Sequence, residues 1–148
     1  MTDFVFTELV NDPPATVISA ALGASSSAPF AEADVGKAVK LAASQNYVPV
    51  AAGDDIEGLV NSVEPSTVNS GFSFGGVQID RRAIVEVGPT QAGALAIGAL
   101  VVADTPVALG TAGYATVQAG TPSLFNWRVL RHVTGTGVTG NLVLIERV

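Results

Sequence analysis

Hydrophobic and polar positions along this chain alternate in short runs, and glycine and proline break the runs at close intervals. Between Arg82 and Val87, the residues Ala83, Val85 and Val87 share one side of a two-residue period and Arg82, Ile84 and Glu86 the other, which is the pattern of a half-buried strand; Gly88-Pro89 ends it. The chain is apolar again from Ala92 to Ala103 and stops at Asp104, so 83–104 predicts a strand, a connection and a second strand at the centre of the domain. Further strands are predicted over 16–22, 38–43, 47–52, 56–63, 77–80 and 113–117, with turns about every ten residues. Phe125 to Val133, a glycine-rich turn and Asn141 to Val148 predict a closing β-hairpin. Only 29–34 and 91–95 leave room for a helical turn. Short strands, glycine and proline turns and the lack of an amphipathic helix predict an all-β barrel or sandwich.

The N-terminal residues follow a different pattern. Phe4 and Phe6 alternate with Val5 and Thr7 as far as Leu9, and Asn11-Asp12-Pro13-Pro14 follows, which predicts a short extended arm. Gly23 to Pro29 is small and polar, the composition of a flexible linker. The expected organisation is therefore an arm and linker over 1–29 and a compact β domain over 30–148. Phe4, Phe6 and Leu9 stand in a segment too short to bury them, which marks them as candidate contacts to a partner.

Composition sharpens this picture. A chain of 148 residues fits one domain with one core. Aromatics make up only 6% of it, so that core must be built mainly from Val, Ala, Leu and Ile. Charged residues reach only 14% and mean hydropathy is +0.45, which leaves little polar material for the outside and predicts apolar surface that meets another protein. A net charge of −6 argues against nucleic acid, because phosphate binding needs clustered Lys and Arg. The one basic pair, Arg81-Arg82, reads as a solvated strand end. Without cysteine there is no disulfide, thiolate zinc site or cysteine nucleophile. Met-Thr-Asp-Phe lacks the basic and apolar regions of a secretion signal, so cytoplasmic synthesis is expected, and the 92–103 run is too short to cross a bilayer.

Several stretches imitate catalytic motifs. Gly71-Phe-Ser-Phe-Gly75 matches G-x-S-x-G, and Asp80 or Asp104 with His132 completes a Ser, Asp, His order. The nucleophile elbow needs a strand before it and a helix after it, whereas here a polar loop precedes Ser73 and a strand pattern follows. Gly135-Thr-Gly-Val-Thr-Gly140 matches the dinucleotide fingerprint, but the residues after it read as a strand and not as the helix whose N-terminus would hold a pyrophosphate. Gly53-Asp-Asp-Ile-Glu-Gly58 gathers three carboxylates without the alternate spacing of a calcium loop and reads as a solvated turn. His132 is the only histidine, and Trp127, in phase with Val129, reads as core. No catalytic residue, cofactor or metal is expected.

The succession Asp34-Val-Gly-Lys-Ala-Val-Lys-Leu, Val50-Ala-Ala-Gly-Asp-Asp-Ile-Glu-Gly-Leu-Val, Gly76-Val-Gln-Ile, Ala83-Ile-Val-Glu-Val-Gly, Leu95-Ala-Ile-Gly-Ala-Leu-Val-Val-Ala-Asp and the closing hairpin resembles the head decoration, or cement, proteins of tailed bacteriophages. The resemblance runs from Asp34 to Val148 and lies in glycine placement: Gly36 to Val39, Ile56 to Gly58 and Gly98 to Val101 match that family's turns, while Ala99 replaces a common acidic residue. It implies a compact β-barrel or β-tulip-like domain and a non-enzymatic virion protein on the outer surface of the capsid. Such a protein cements neighbouring major capsid protein subunits and stabilises the DNA-filled head. The implied partners are the major capsid protein and neighbouring copies, as a dimer or trimer, with neither nucleic acid nor membrane involved. Phe4, Phe6 and Leu9 would then dock on a capsid subunit or a neighbouring copy. The alternative is a β-rich adhesion or glycan-binding module of a phage tail.

Overall fold

The computed structural model describes residues 15–25, 28–64, 73–104 and 109–148. They form β1 (Val17–Ser25), β2 (Ala28–Pro29), β3 (Ala38–Leu41), β4 (Asn46–Pro49), β5 (Gly58–Val63), β6 (Ser73–Gln78), β7 (Arg82–Val87), β8 (Leu100–Ala103), β9 (Thr116–Ala119), β10 (Trp127–His132) and β11 (Leu142–Arg147). One turn of 3-10 helix, Glu32–Asp34, precedes β3. The fold is all-β, as the sequence predicts, but it closes into two barrels where composition suggested a single core. The first runs β1-β4-β3-β5-β6 and returns to β1, with β2 attached to the end of β1. The second runs β10-β11-β7-β9-β8 and closes on itself. Five strands enclose a narrow interior, which Val, Ala and Leu fill around a few aromatics. Leu22, Val39, Val60 and Val77 fill the first barrel, with Phe30 and Tyr47; Val85, Val87, Val101, Val117, Trp127, Val143 and Ile145 fill the second.

The two barrels repeat one topology. In each, the first long strand (β1, β7) runs parallel to the third (β4, β9) and antiparallel to the fifth (β6, β11). The second (β3, β8) runs antiparallel to the third and fourth, and the fourth (β5, β10) antiparallel to the fifth. The registers agree as well: Val39 lies opposite Pro49 and Gly58, and Val101 opposite Ala119 and Trp127. Even the irregularity recurs, with the register slipping between Val60 and Ser62 in one barrel and between Val129 and Arg131 in the other. Two glycines with positive φ serve these bulges. Gly36 (φ 100) donates its N–H to the Val60 carbonyl at 2.8 Å, and Gly98 (φ 86) donates to the Val129 carbonyl at 2.7 Å. The return bonds, Val60 N–H to Lys37 O and Val129 N–H to Ala99 O, both measure 2.9 Å. A left-handed residue is needed to turn the chain and aim that N–H, and glycine adopts it without a Cβ clash.

Residues 50–57 leave the first barrel and lie along the second. Gly53 N–H donates to Ala103 O at 2.9 Å, Ala103 N–H to Asp54 O at 3.0 Å, and Trp127 Nε1 to Ile56 O at 2.9 Å. Ala38, Val50, Ile56 and Leu59 thereby join the second barrel's core, and Ile56 is fully buried.

Three expectations need correction. The strand expected over 16–22 runs from Val17 to Ser25 and pairs with β6 from Val17↔Gln78 to Leu22↔Ser73, so residues assigned to an arm and linker supply a wall of the first barrel and its core residue Leu22. The apolar alternation of Ile18, Ala20 and Leu22, directed inward, is the cause. The long run 92–103 yields only the four residues of β8, because Gly93 and Gly98, both with positive φ, interrupt it. A strand of six residues replaces the short one expected at 77–80, beginning at Ser73.

Candidate functional site

The joint between the barrels is lined by Lys40, Gly53, Asp54, Asp55, Glu57, Ser123, Leu124 and Phe125, which enclose an open cleft of about 260 Å³. Its geometry follows from the turn after β4. The Asp55 carboxylate accepts backbone N–H groups from Ser123 (2.8 Å), Leu124 (2.7 Å) and Phe125 (3.0 Å). Burial pushes this carboxyl up, but those donors and the Arg147 charge outweigh it and hold it below the usual carboxylate range. Asp54 is held low by the Lys40 ammonium at 2.6 Å and by the Ala51 N–H at 2.8 Å. Arg147 lies over Phe125, 4.7 Å from the ring centre, and over Trp127 at 5.9 Å, and donates to Ile79 O at 3.2 Å. Burial, with the Glu57 charge adding to it, pushes the Tyr47 hydroxyl up. The turn read as solvated is thus a structural clasp: two of its carboxylates tie the chain together.

The imitated motifs take up structural duties. Ser73 is buried inside β6 and donates its hydroxyl to the Phe30 carbonyl. His132 Nε2 is bonded to Leu95 O at 2.8 Å, Asp80 accepts from Thr16 N–H and Oγ1 at 2.6 and 2.8 Å, and the Asp104 carboxylate accepts from the N–H and hydroxyl of Thr90. These groups are not brought together into a triad. Gly135, Gly137 and Gly140 shape the β10–β11 turn, where the Asn141 side-chain oxygen accepts the Thr136 and Val138 N–H groups, and a strand follows. Among the described residues no group of three or more His, Cys, Asp or Glu could hold a metal, and no helix is long and apolar enough to cross a membrane. Trp127 is core, as expected, and Arg82 pairs with Glu146 at the start of β7.

Phe4, Phe6 and Leu9 lie outside the described residues. Sequence reasoning did not find the exposed apolar side chains on the barrels themselves. Val17 and Phe74 stand on the outer face of β1 and β6. Ile97, Leu100 and Leu124 stand on the outside of the second barrel, with Leu124 the most exposed at 78%. The signal for the first two was a 92–103 run longer than one strand requires. The chain matches no protein-family model, no curated protein and no solved structure.

Proposed function

We propose that this protein is a non-enzymatic capsid-binding protein of the bacteriophage head, acting on the outer surface of the shell to cement neighbouring major capsid subunits. The single observation that carries the reading is the contrast between the two sides of its surface chemistry. Ser73, Asp55 and His132, groups that could do chemistry, are tied into backbone hydrogen bonds, while large apolar side chains such as Phe74, Ile97 and Leu124 face solvent. A surface of that kind gains free energy by being covered. The glycine turns at Gly36 and Gly98, on which the resemblance to decoration proteins rests, support the same assignment. A glycan-binding role is less well served: Trp127, Tyr47 and Phe30 are buried and Phe125 lies beneath Arg147, which leaves no aromatic platform of several rings among the described residues. Co-sedimentation with expanded, DNA-free heads of the phage that encodes the protein tests the proposal. Saturable binding to heads and increased resistance of those heads to heat are expected; no binding to heads, together with binding to cell-surface polysaccharide, rejects it.

A further inference from the structure

We infer that the uncharged outer wall of the first barrel, formed by β1, β6 and β5, is the surface that lies against the shell; the inference rests on the capsid-binding reading above. Val17, Ser19, Ala21 and Phe74 face outward on this wall. The second barrel builds the same wall from β7, β11 and β10 and covers it with charge.

The registers allow a comparison position by position. Val60↔Val77 in one barrel and Val129↔Ile145 in the other are the pairs next to the bulge. Val17↔Gln78 then corresponds to Arg82↔Glu146, Ser19↔Gly76 to Ile84↔Leu144, and Ser62 to Arg131. In the second barrel Glu146 stands between Arg82 at 3.5 Å and Arg128 at 3.7 Å, a ladder of charge across three strands, and Arg131 is exposed. In the first barrel β1, β5 and β6 contain no charged residue. Only at the Arg128 position does the fold itself account for this, since its equivalent, Leu59, packs into the second barrel's core. The rest of the wall is open, with Val17 44% and Phe74 43% exposed. Charge returns only at its two ends, with Glu64 beside Phe74 and Asp80 beside Thr16.

Such a wall has the chemistry of a contact with a neutral protein surface. Its relief is low, because Gly76 lets Val17 and Ser62 close over the strand: a Cβ there would lie 2.7 Å from Val17 Cγ1 and 3.1 Å from Ser62 Oγ. It offers no cation to a phosphate and only one aromatic ring, Phe74, to a sugar. The course of the chain points to the shell as the occupant. Residues 1–14, with the candidate shell contacts Phe4, Phe6 and Leu9, join the barrel at this wall, where Thr16 is held by Asp80 next to Val17. Fourteen residues span at most about 50 Å, so a subunit that takes up the segment is within that distance of the wall. Segment and wall then act as two linked contacts with one partner.

Co-sedimentation of the full chain with expanded, DNA-free heads tests this through register-equivalent substitutions. Ser19→Glu and Phe74→Glu should each weaken binding by about tenfold or more, with circular dichroism and Tm unchanged. Ser19→Lys should weaken it as well, because a neutral contact rejects charge of either sign. Ile84→Glu, at the place in the second barrel that corresponds to Ser19, should bind as the wild type does. Undiminished binding by both Ser19→Glu and Phe74→Glu, or an equal loss in Ile84→Glu, overturns the assignment of the wall while capsid binding stands. Tighter binding by Ser19→Lys overturns it too, since the contact would then be an electrostatic one. A wild-type dimer in sedimentation velocity that Phe74→Glu splits gives the wall to a second copy and overturns it likewise. A wild type that binds no heads rejects the capsid reading, and the inference falls with it.

Discussion

The Asp55 carboxylate accepts the backbone N–H of Leu124 at 2.7 Å, and through that bond and its neighbours at Ser123 and Phe125 the turn after β4 holds the 120–126 segment of the second barrel. Asp55→Ala leaves these donors to the water of the open cleft. The expected loss is about 1–2 kcal/mol, the lower part of the range for hydrogen bonds to a charged group because water replaces part of it. For a chain of this size that lowers Tm by roughly 2–8 °C in calorimetry. An unchanged Tm would mean that the clasp contributes nothing.

The same carboxylates set the acid limit of stability. Asp54 and Asp55 have folded pKa values below the ordinary Asp value of 3.8, so protons bind the unfolded chain more readily. Their contribution is complete above the unfolded value and is lost as pH falls through the lower folded values. Tm should be level from neutral pH down to about 5 and fall below about 4. In Asp55→Asn, which keeps an acceptor oxygen but not the charge, the acid-side fall should be shallower. A wild-type Tm that rises between pH 5 and 3 would contradict the sign of both shifts.

How much of this was legible in the sequence depends on what each feature leaves in the order of residues. Alternation along Arg82–Val87, and of Trp127 with Val129, revealed β7 and β10, while β3, β5 and β11 were marked by the glycine-rich turns beside them. The glycines at 36 and 98 stood out only through the resemblance, and the positive φ that each adopts gives the physical reason for glycine there. The repeat was invisible because the two barrels fill their interiors differently. Gly75 occupies in β6 the place that Val143 holds in β11, opposite Val63 and His132 at the same step past the bulge. Larger residues at Leu22, Phe30 and Tyr47 occupy the first core, so small residues are required across from them. The arm boundary was misplaced because Gly23 to Pro29 is small and polar and read as a flexible linker, which cut the strand expected over 16–22 off from the barrel it closes.

Gly75→Ala puts this packing to the test. A Cβ there would overlap the Ser62 carbonyl oxygen, a backbone atom at the bulge, and crowd the Leu22 side chain. The expected cost exceeds about 3 kcal/mol, since neither the bulge nor the filled core can yield. Gly93→Ala, where φ is 76 and nothing lies within 4 Å, should cost only about 1 kcal/mol from backbone strain. Urea unfolding of the two variants measures the difference, and equal midpoints would refute the described fit of β1, β5 and β6.

Ser73→Ala separates a structural serine from a nucleophile. From the sequence motif alone the change should be silent, but the buried hydroxyl donates to Phe30 O, and alanine leaves that carbonyl without this donor. A loss of about 1 kcal/mol is expected. Esterase or peptidase activity abolished by this substitution, with stability unaltered, would reverse both the structural and the functional assignment.

Deletion of residues 1–14 tests the docking role assigned to Phe4, Phe6 and Leu9. All described strand pairing begins after that segment: Thr16 is fixed to Asp80 by two hydrogen bonds and β1 starts at Val17. The truncated protein should therefore keep the circular dichroism and Tm of the full chain. Burial of three large apolar side chains contributes about 1.5–3 kcal/mol each, and ordering a segment costs about 1–2 kcal/mol per residue, so docking by side chains alone is weak. Backbone pairing with a strand edge would supply the remainder. A shell subunit or a neighbouring copy could offer that edge, for although the two barrels close, β2 pairs only with β1 among the described strands. A weak contact of this kind acts through avidity, since a protein already held by its barrels presents the segment at high effective concentration. Binding to empty heads should therefore fall by about tenfold or more. Unfolding of the truncated protein would place the segment in the core, and undiminished head binding would place the docking surface on the barrels.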